Sequence, residues 1–292
     1  MIEAELEVAF VPFCVPGSEV FVPDGVPAAS ALGRTTHLGV GAHPDDLEIM
    51  AYHGILECFQ QNDRWFTGVT MTNGSGSARG PDYKDRTDAE MIEVRKLEQR
   101  KAACTGEYSA VVLLNHPSAS VKDAENADVG TDLDRVFSAA RPEVVYTHNL
   151  ADKHDSHVAV ALRVVAALRR LPPTERPRRV IGCEVWRDLD WLCDTDKVMM
   201  PVDHRPNLAD ALVGVFDSQI CGGKRYDLAA RGRRLAHATF FESHLVDGSQ
   251  ALIWGIDLTP LVHDATKDPA SFVEQYIDRF AADVKGRIWR AS

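Results

Sequence analysis

No stretch of the 292 residues approaches the roughly 18 consecutive apolar residues that cross a bilayer, so no transmembrane helix is expected. The opening Met1-Ile2-Glu3-Ala4-Glu5-Leu6-Glu7 is acidic where a secretory leader is basic, which predicts a soluble, cytoplasmic protein without a membrane partner. The six cysteines (Cys14, Cys58, Cys104, Cys183, Cys193 and Cys221) contain no CxxC pair and lie mostly in apolar segments, as reduced thiols do in a reducing compartment. Positive charge is also short: 32 basic residues face 43 acidic ones, a net charge of -11 that repels polyanions and argues against nucleic acid as a partner. The one basic concentration, Arg169-Arg170 through Arg178-Arg179, is broken by Leu171-Pro172-Pro173 and reads as a helix C-terminus. No GxGxxG follows the first core strand, and neither GxxxxGK[ST] nor GxSxG occurs, so dinucleotide, P-loop and serine-hydrolase readings lack their motifs. Internal repeats and low-complexity segments are absent too.

What is present is an alternation of short apolar runs with longer amphipathic ones. Strand-like stretches His37 to Ala42, Phe66 to Met71, Ala110 to Leu114, Glu143 to Thr147 and Arg179 to Glu184 are separated by helix-like Asp46 to Gln61, Asp88 to Cys104, Thr131 to Ala140 and Ser156 to Arg170. This pattern predicts an α/β fold, a Rossmann-like and mostly parallel sheet with helices on both faces. Residues 1–34, rich in proline and glycine, read as an irregular lead-in that packs on the core without forming it. Residues 35–185 form the α/β core, and 186–292 a C-terminal helical and β extension completing the same domain. That extension carries a strand-like Lys197 to Val202 and helix-like Asn207 to Phe216, Lys224 to Glu242 and Ala270 to Arg287.

The chemistry concentrates just past two strands. Gly41-Ala42-His43-Pro44-Asp45-Asp46-Leu47-Glu48 crowds an imidazole and two carboxylates behind the first core strand, and His148 to His157 adds further imidazoles behind another. In open α/β sheets, ligands bind at such carboxyl ends. Hydrolytic zinc takes three ligands from His, Asp or Glu and keeps a position open for water, a need that His43, Asp46 and His157 meet. Asp45, beside a ligand, is then free to hold and deprotonate water on the metal, and His154 to stabilise an oxyanion or protonate a leaving amine. A plainer reading makes Asp45 and Asp46 helix caps and His43 a packed core histidine; the second cluster weighs against it. Arg79, Arg86, Asp152 and His244 are candidate substrate contacts, each equally readable as a solvated charge. Trp186 to Trp191 could wall a sugar site.

The segments Ala42-His43-Pro44-Asp45-Asp46-Leu47-Glu48 and His154-Asp155-Ser156-His157 resemble the paired AHPDD-x-E and HxxH motifs of the PIG-L/LmbE-like zinc deacetylases, and Arg95 to Glu98 resembles that family's RxxE helix. The likeness spans about residues 36–185. It implies a single divalent metal, zinc or else iron(II) or another divalent ion, bound by His43, Asp46 and His157. It further implies hydrolysis of an N-acetyl group from a small-molecule amino sugar or GlcNAc-type glycoconjugate, with Asp45 as base and His154 assisting. Some relatives place an oxyanion-donating tyrosine two residues before the first histidine of HxxH. Here Asp152 stands there, and an ionised carboxylate cannot donate. Amidase action on another N-acyl group, a catalytically silent sugar-binding role, and a homo-oligomeric state all remain compatible with the sequence.

Overall fold

Strands β1 (Glu19–Phe21), β2 (His37–Gly41), β3 (Phe66–Thr72), β4 (Ala110–His116), β5 (Val144–His148), β6 (Arg179–Cys183), β7 (Val198–Pro201) and β8 (Leu252–Asp257) form a single sheet in the order β1-β4-β3-β2-β5-β6-β8-β7. The computed structural model describes residues 12–221 and 223–292, so the acidic segment Met1 to Glu7 lies outside the described residues. The five inner strands β4-β3-β2-β5-β6 run parallel, while β1, β8 and the β8–β7 pair are antiparallel additions. The expected mostly parallel sheet is therefore observed, made mixed by its antiparallel edge strands. After β2 the chain adds strands on one side, and from β5 onward on the other. The carboxyl ends of β2 and β5 thus flank the topological switch point, where the flanking loops diverge and leave a crevice.

Side chains alternate along each strand and feed two cores. Leu38, Val40, Val69 and Met71 enter one, beneath the helices Ala127–Ala140 and Asp155–Arg170. On the opposite face β2 and β3 present Gly39 and Gly68, which are register partners, and the pit they leave is filled by Leu47. A Cβ on Gly39 would stand 3.0 Å from one Leu47 methyl, and a Cβ on Gly68 2.7 Å from the other. Because Leu47 immediately follows Asp46, this contact fixes the loop after β2 against the sheet.

Three features depart from the sequence reading. The helix expected over Asp46 to Gln61 is two, Asp46–Met50 and Tyr52–Cys58, broken at Ala51 (φ -104°, ψ 14°). The break lets the second piece approach β5 so closely that Gly54 lies against the Tyr146 ring. The lead-in also does more than cover the core: β1 extends the sheet edge beside β4, and Ala31 and Leu32, on the helix Ala28–Gly33, are fully buried within it. Third, β8 was not anticipated. Its continuous apolar run is the signature of a buried strand, and it inserts between β6 and β7.

Glu48, on the helix Asp46–Met50, is buried completely. Its Oε1 accepts hydrogen bonds from Tyr108 Oη (2.8 Å) and Gln99 Nε2 (2.8 Å), while Oε2 has no partner. Burial pushes this carboxyl up to about 7, and Glu184 is likewise raised to about 7 by burial. A carboxyl whose folded pKa exceeds its unfolded one keeps its proton in the native state alone, so stability falls as pH rises from about 4.5 to about 7. Glu48→Gln retains both accepted bonds and removes its share of that decline, of order 3 kcal/mol across the window. Urea unfolding at pH 5 and pH 7.5 should show the variant gaining on the parent chain at the higher pH; parallel stability curves would refute the assignment.

Candidate metal and catalytic site

The loop after β2 turns sharply. Asp46 N–H donates to the His43 carbonyl (3.3 Å), and His43 N–H donates back to Asp46 Oδ2 (2.7 Å). Asp45 lies between them at φ 89°, a left-handed conformation that costs a non-glycine residue about 1–2 kcal/mol. The plainer capping reading finds no support, because Asp45 occupies the helix N-cap position without any side-chain capping bond. Its Oδ2 is buried and unpartnered.

The loop after β5 is tied down by its own polar groups. Asn149 Nδ2 donates to the Cys183 carbonyl (2.8 Å), and its Oδ1 accepts from Ala151 N–H (2.9 Å). Asp152 uses both carboxylate oxygens internally: Oδ1 accepts from His154 N–H (3.1 Å), and Oδ2 accepts from Trp186 N–H (3.2 Å) and His157 Nδ1 (3.2 Å). The last bond places the proton on Nδ1 and frees the Nε2 lone pair of His157.

That lone pair faces two others. His157 Nε2 lies 3.2 Å from His43 Nδ1 and 3.5 Å from Asp46 Oδ2, and His43 Nδ1 lies 3.4 Å from Asp46 Oδ2. Ligand atoms each about 2.1 Å from a tetrahedral ion stand about 3.4 Å apart, so the three atoms have the spacing a small divalent cation requires. His148 is a fourth imidazole close by, with Nε2 3.3 Å from Asp46 Oδ2. That nitrogen already accepts from Ala42 N–H (2.9 Å), and the ring stacks on His157 at 3.8 Å, so His148 backs the cluster.

Electrostatics separate the two neighbouring aspartates. Burial alone would raise Asp46, but the His157 and His148 imidazoles together with the bonds it accepts hold it well below the usual carboxylate range. Burial and the adjacent Asp46 carboxylate instead push Asp45 well above that range, with the Arg95 guanidinium opposing. Burial lowers His157, as does its His148 neighbour, favouring the neutral ring a metal ligand needs. His154 is lowered by burial and by the His157 and His43 rings.

These groups open into a cleft of about 390 Å³. His43, Asp45, Asp46 and His154 line its floor, the loop Asn73 to Ala78 one wall, and Trp186, Lys224 and Tyr226 another. Tyr226 meets Trp186 edge to face at 6.2 Å, and burial together with the Asp45 and Asp46 charges pushes its phenol up to about 12, so it remains an O–H donor. A second cleft of about 400 Å³, between the helices Pro206–Gly214 and Tyr226–Phe240, is lined by no imidazole.

Residues 38–168 match the PIG-L family model, described as GlcNAc-PI de-N-acetylase. YaiS of Escherichia coli (strain K12), described as an uncharacterized deacetylase, is 25% identical over 151 residues, covering 52% of this chain and 77% of its own. Among solved structures, the chain superposes on N,N'-diacetylchitobiose deacetylase from Pyrococcus horikoshii with a TM-score of 0.60 at 15% identity, covering 79% of this chain and 86% of that one. GalB, the 4-carboxy-2-hydroxymuconate hydratase of Pseudomonas putida KT2440, superposes at 0.55 with 16% identity, covering 77% and 96%. These two likenesses establish a shared fold, and the second shows that the fold also carries a hydratase.

The substrate contacts read from sequence are not among the residues that line the cleft. Arg79 is held by the Ser75 and Arg86 carbonyls and by Asp88, and Arg86 is exposed beside Glu90 (3.8 Å). Asp152 stands behind His157, and His244 is on an exposed loop. Arg95 and Glu98 are both buried, yet Glu98 accepts from Ser218 N–H and Oγ (2.7 Å each). Trp186 does wall the cleft, whereas Trp191 packs on the core. Tyr226, Lys224 and Gln219 carried no local signal, since they reach the cleft from a helix and turn far along the chain. Among the described residues no helix is long and apolar enough to cross a membrane, and all six cysteines are free.

Asp152→Asn tests the orientation of His157. An amide presenting its NH2 to Nδ1 would favour the opposite tautomer and point Nε2–H at the cluster, so affinity for a divalent metal should fall about 10–100-fold while the fold is kept. Titration against a competing chelator reads this directly, and unchanged affinity would remove Asp152 from the role.

Proposed function

We propose that the protein is a metal-dependent N-deacetylase acting on a small amino sugar of the GlcNAc type, with zinc as the first candidate ion and iron(II) the second. The observation that carries this reading is the triangle of His43 Nδ1, Asp46 Oδ2 and His157 Nε2, with edges of 3.2, 3.4 and 3.5 Å, at the floor of a cleft. The PIG-L match over residues 38–168 supports deacetylation over the other chemistry found on this fold. The names of the similar proteins, YaiS and the chitobiose deacetylase, point the same way.

His43, Asp46 and His157 would hold a divalent cation, which when bound would supply Lewis acidity and lower the pKa of water toward neutrality. Asp45, whose Oδ2 has no other partner, takes the proton from water as it adds to the amide carbonyl. Tyr226 Oη–H and the His154 ring N–H are the donors suited to the developing oxyanion, and Tyr226 thereby fills the role left open by Asp152. The proton held by Asp45 then passes to the departing nitrogen, releasing acetate and a free amine. The Trp186 ring offers a flat apolar face to a sugar, and the Ser75 to Ser77 wall offers hydrogen-bonding groups to its hydroxyls.

Asp45→Asn should retain metal yet lose about 10²–10⁴-fold in deacetylation rate, whereas His43→Ala should lose the metal itself. Metal analysis with acetate release from N-acetylglucosamine conjugates separates the two. Full activity in either variant overturns the mechanism, and inertness of the metal-loaded protein toward all N-acyl sugars overturns the reading. Tyr226→Phe should lower kcat about 10²-fold with KM little changed, as loss of one oxyanion donor does. An effect confined to KM would instead make Tyr226 a substrate-binding wall.

A further inference from the structure

The C-terminal helix Pro269–Ala291 is 23 residues long, yet Phe272 is its only fully buried side chain. Phe272, Val273 and Tyr276 anchor its start on the core, and Arg279 pairs with Asp196 (2.8 Å). Beyond that point Ile277, Phe280, Val284 and Ile288 are exposed, from 38% at Val284 to 60% at Ile288. Their spacing of three, four and four places them within about 80° of one another around the helix, so they form one continuous apolar stripe. Single exposed apolar residues need no explanation, but an aligned row of four along a helix is the pattern of a helix-packing seam.

The charges beside the stripe say what would cover it. Asp268, Glu274, Asp278 and Arg279 give the first half of the segment a net charge of -2, and Asp283, Lys285, Arg287 and Arg290 give the second half +2. Glu274, Asp278 and Lys285 occupy the same flank of the stripe, about 20–40° apart at 100° per residue. Two copies aligned parallel would turn this flank toward the opposite flank of the partner helix, which carries Asp283 and Arg287, so that Asp278 and Lys285 would not meet across the seam. Two copies aligned antiparallel, with Phe280 of one opposite Val284 of the other, bring Asp278 within one residue of the second copy's Lys285. Only the antiparallel orientation sets this flank against its own copy, acidic end to basic end.

We propose that the chain pairs with a second copy of itself through this helix, antiparallel, with Ile277, Phe280, Val284 and Ile288 at the seam and the Asp278–Lys285 flanks crossing it twice. An isologous contact of this kind closes on itself and yields a dimer. Sedimentation equilibrium of the full chain should find a dimer, and the double variant F280D/V284D, altered only at exposed positions, should raise its dissociation constant about tenfold or more. Lys285→Glu should weaken the dimer in a salt-dependent way, and combining it with Asp278→Lys should restore it. A monomeric parent chain, or a dimer indifferent to F280D/V284D, overturns the interface. A dimer weakened by F280D/V284D but not by Lys285→Glu, or one that the double charge exchange fails to rescue, overturns the antiparallel arrangement.

Discussion

The buried carboxylate of Asp46 is the point on which the two halves of the sheet close. A charge removed from water must be paired or hydrogen-bonded to persist, and Asp46 meets that need with groups drawn from both sides of the switch point. His43 N–H comes from its own loop, while His148 and His157 come from the end of β5 and the helix after it. Because β2 and β5 are adjacent and in register, with Val40 opposite Thr147, the end of each strand delivers its loop to the same place. The donor cluster is therefore a consequence of strand order as much as of motif.

Packing holds that convergence in place. Leu47 is wedged over Gly39 and Gly68, so Asp46 cannot shift along the sheet without emptying a filled pit. Asp152 performs the equivalent task on the other loop, joining His157, His154 and the Trp186 backbone through one carboxylate. The C-terminal third contributes walls. Gln219 Nε2 donates to the Pro44 carbonyl (3.3 Å), and Glu98 accepts from Ser218, which together bring the turn before Tyr226 over the cleft.

The alternation of apolar runs made the parallel sheet legible, and the two histidine clusters pointed to the ends of β2 and β5 because strand ends are where such folds bind ligands. The side chains that line the cleft away from those clusters were not legible. Tyr226 lies some 70 residues beyond His157, and nothing local distinguishes it from a core aromatic. Arg79 and Asp152 had the right chemistry near the right strands, but what their polar atoms bond to is decided by loop geometry that no periodicity encodes. The break at Ala51 escaped for a related reason: residues 46–58 have helical composition throughout, and only the approach of Gly54 to Tyr146 reveals why one helix becomes two.

Adjacent aspartates in one loop would ordinarily share an environment and a protonation state. Here the left-handed backbone at Asp45 turns consecutive side chains into different surroundings, one among imidazoles and one at the cleft floor, within reach of the Arg95 charge. The first is held ionised by its imidazole neighbours, while burial makes the second the more basic carboxylate of the pair, so two identical groups have distinct acid–base character. The strain is local, of order 1–2 kcal/mol, and the dense bonding of the turn around it is what makes such a conformation tolerable. Glycine at this position would relieve the backbone and delete the carboxylate proposed as base; aspartate accepts the strain and keeps it.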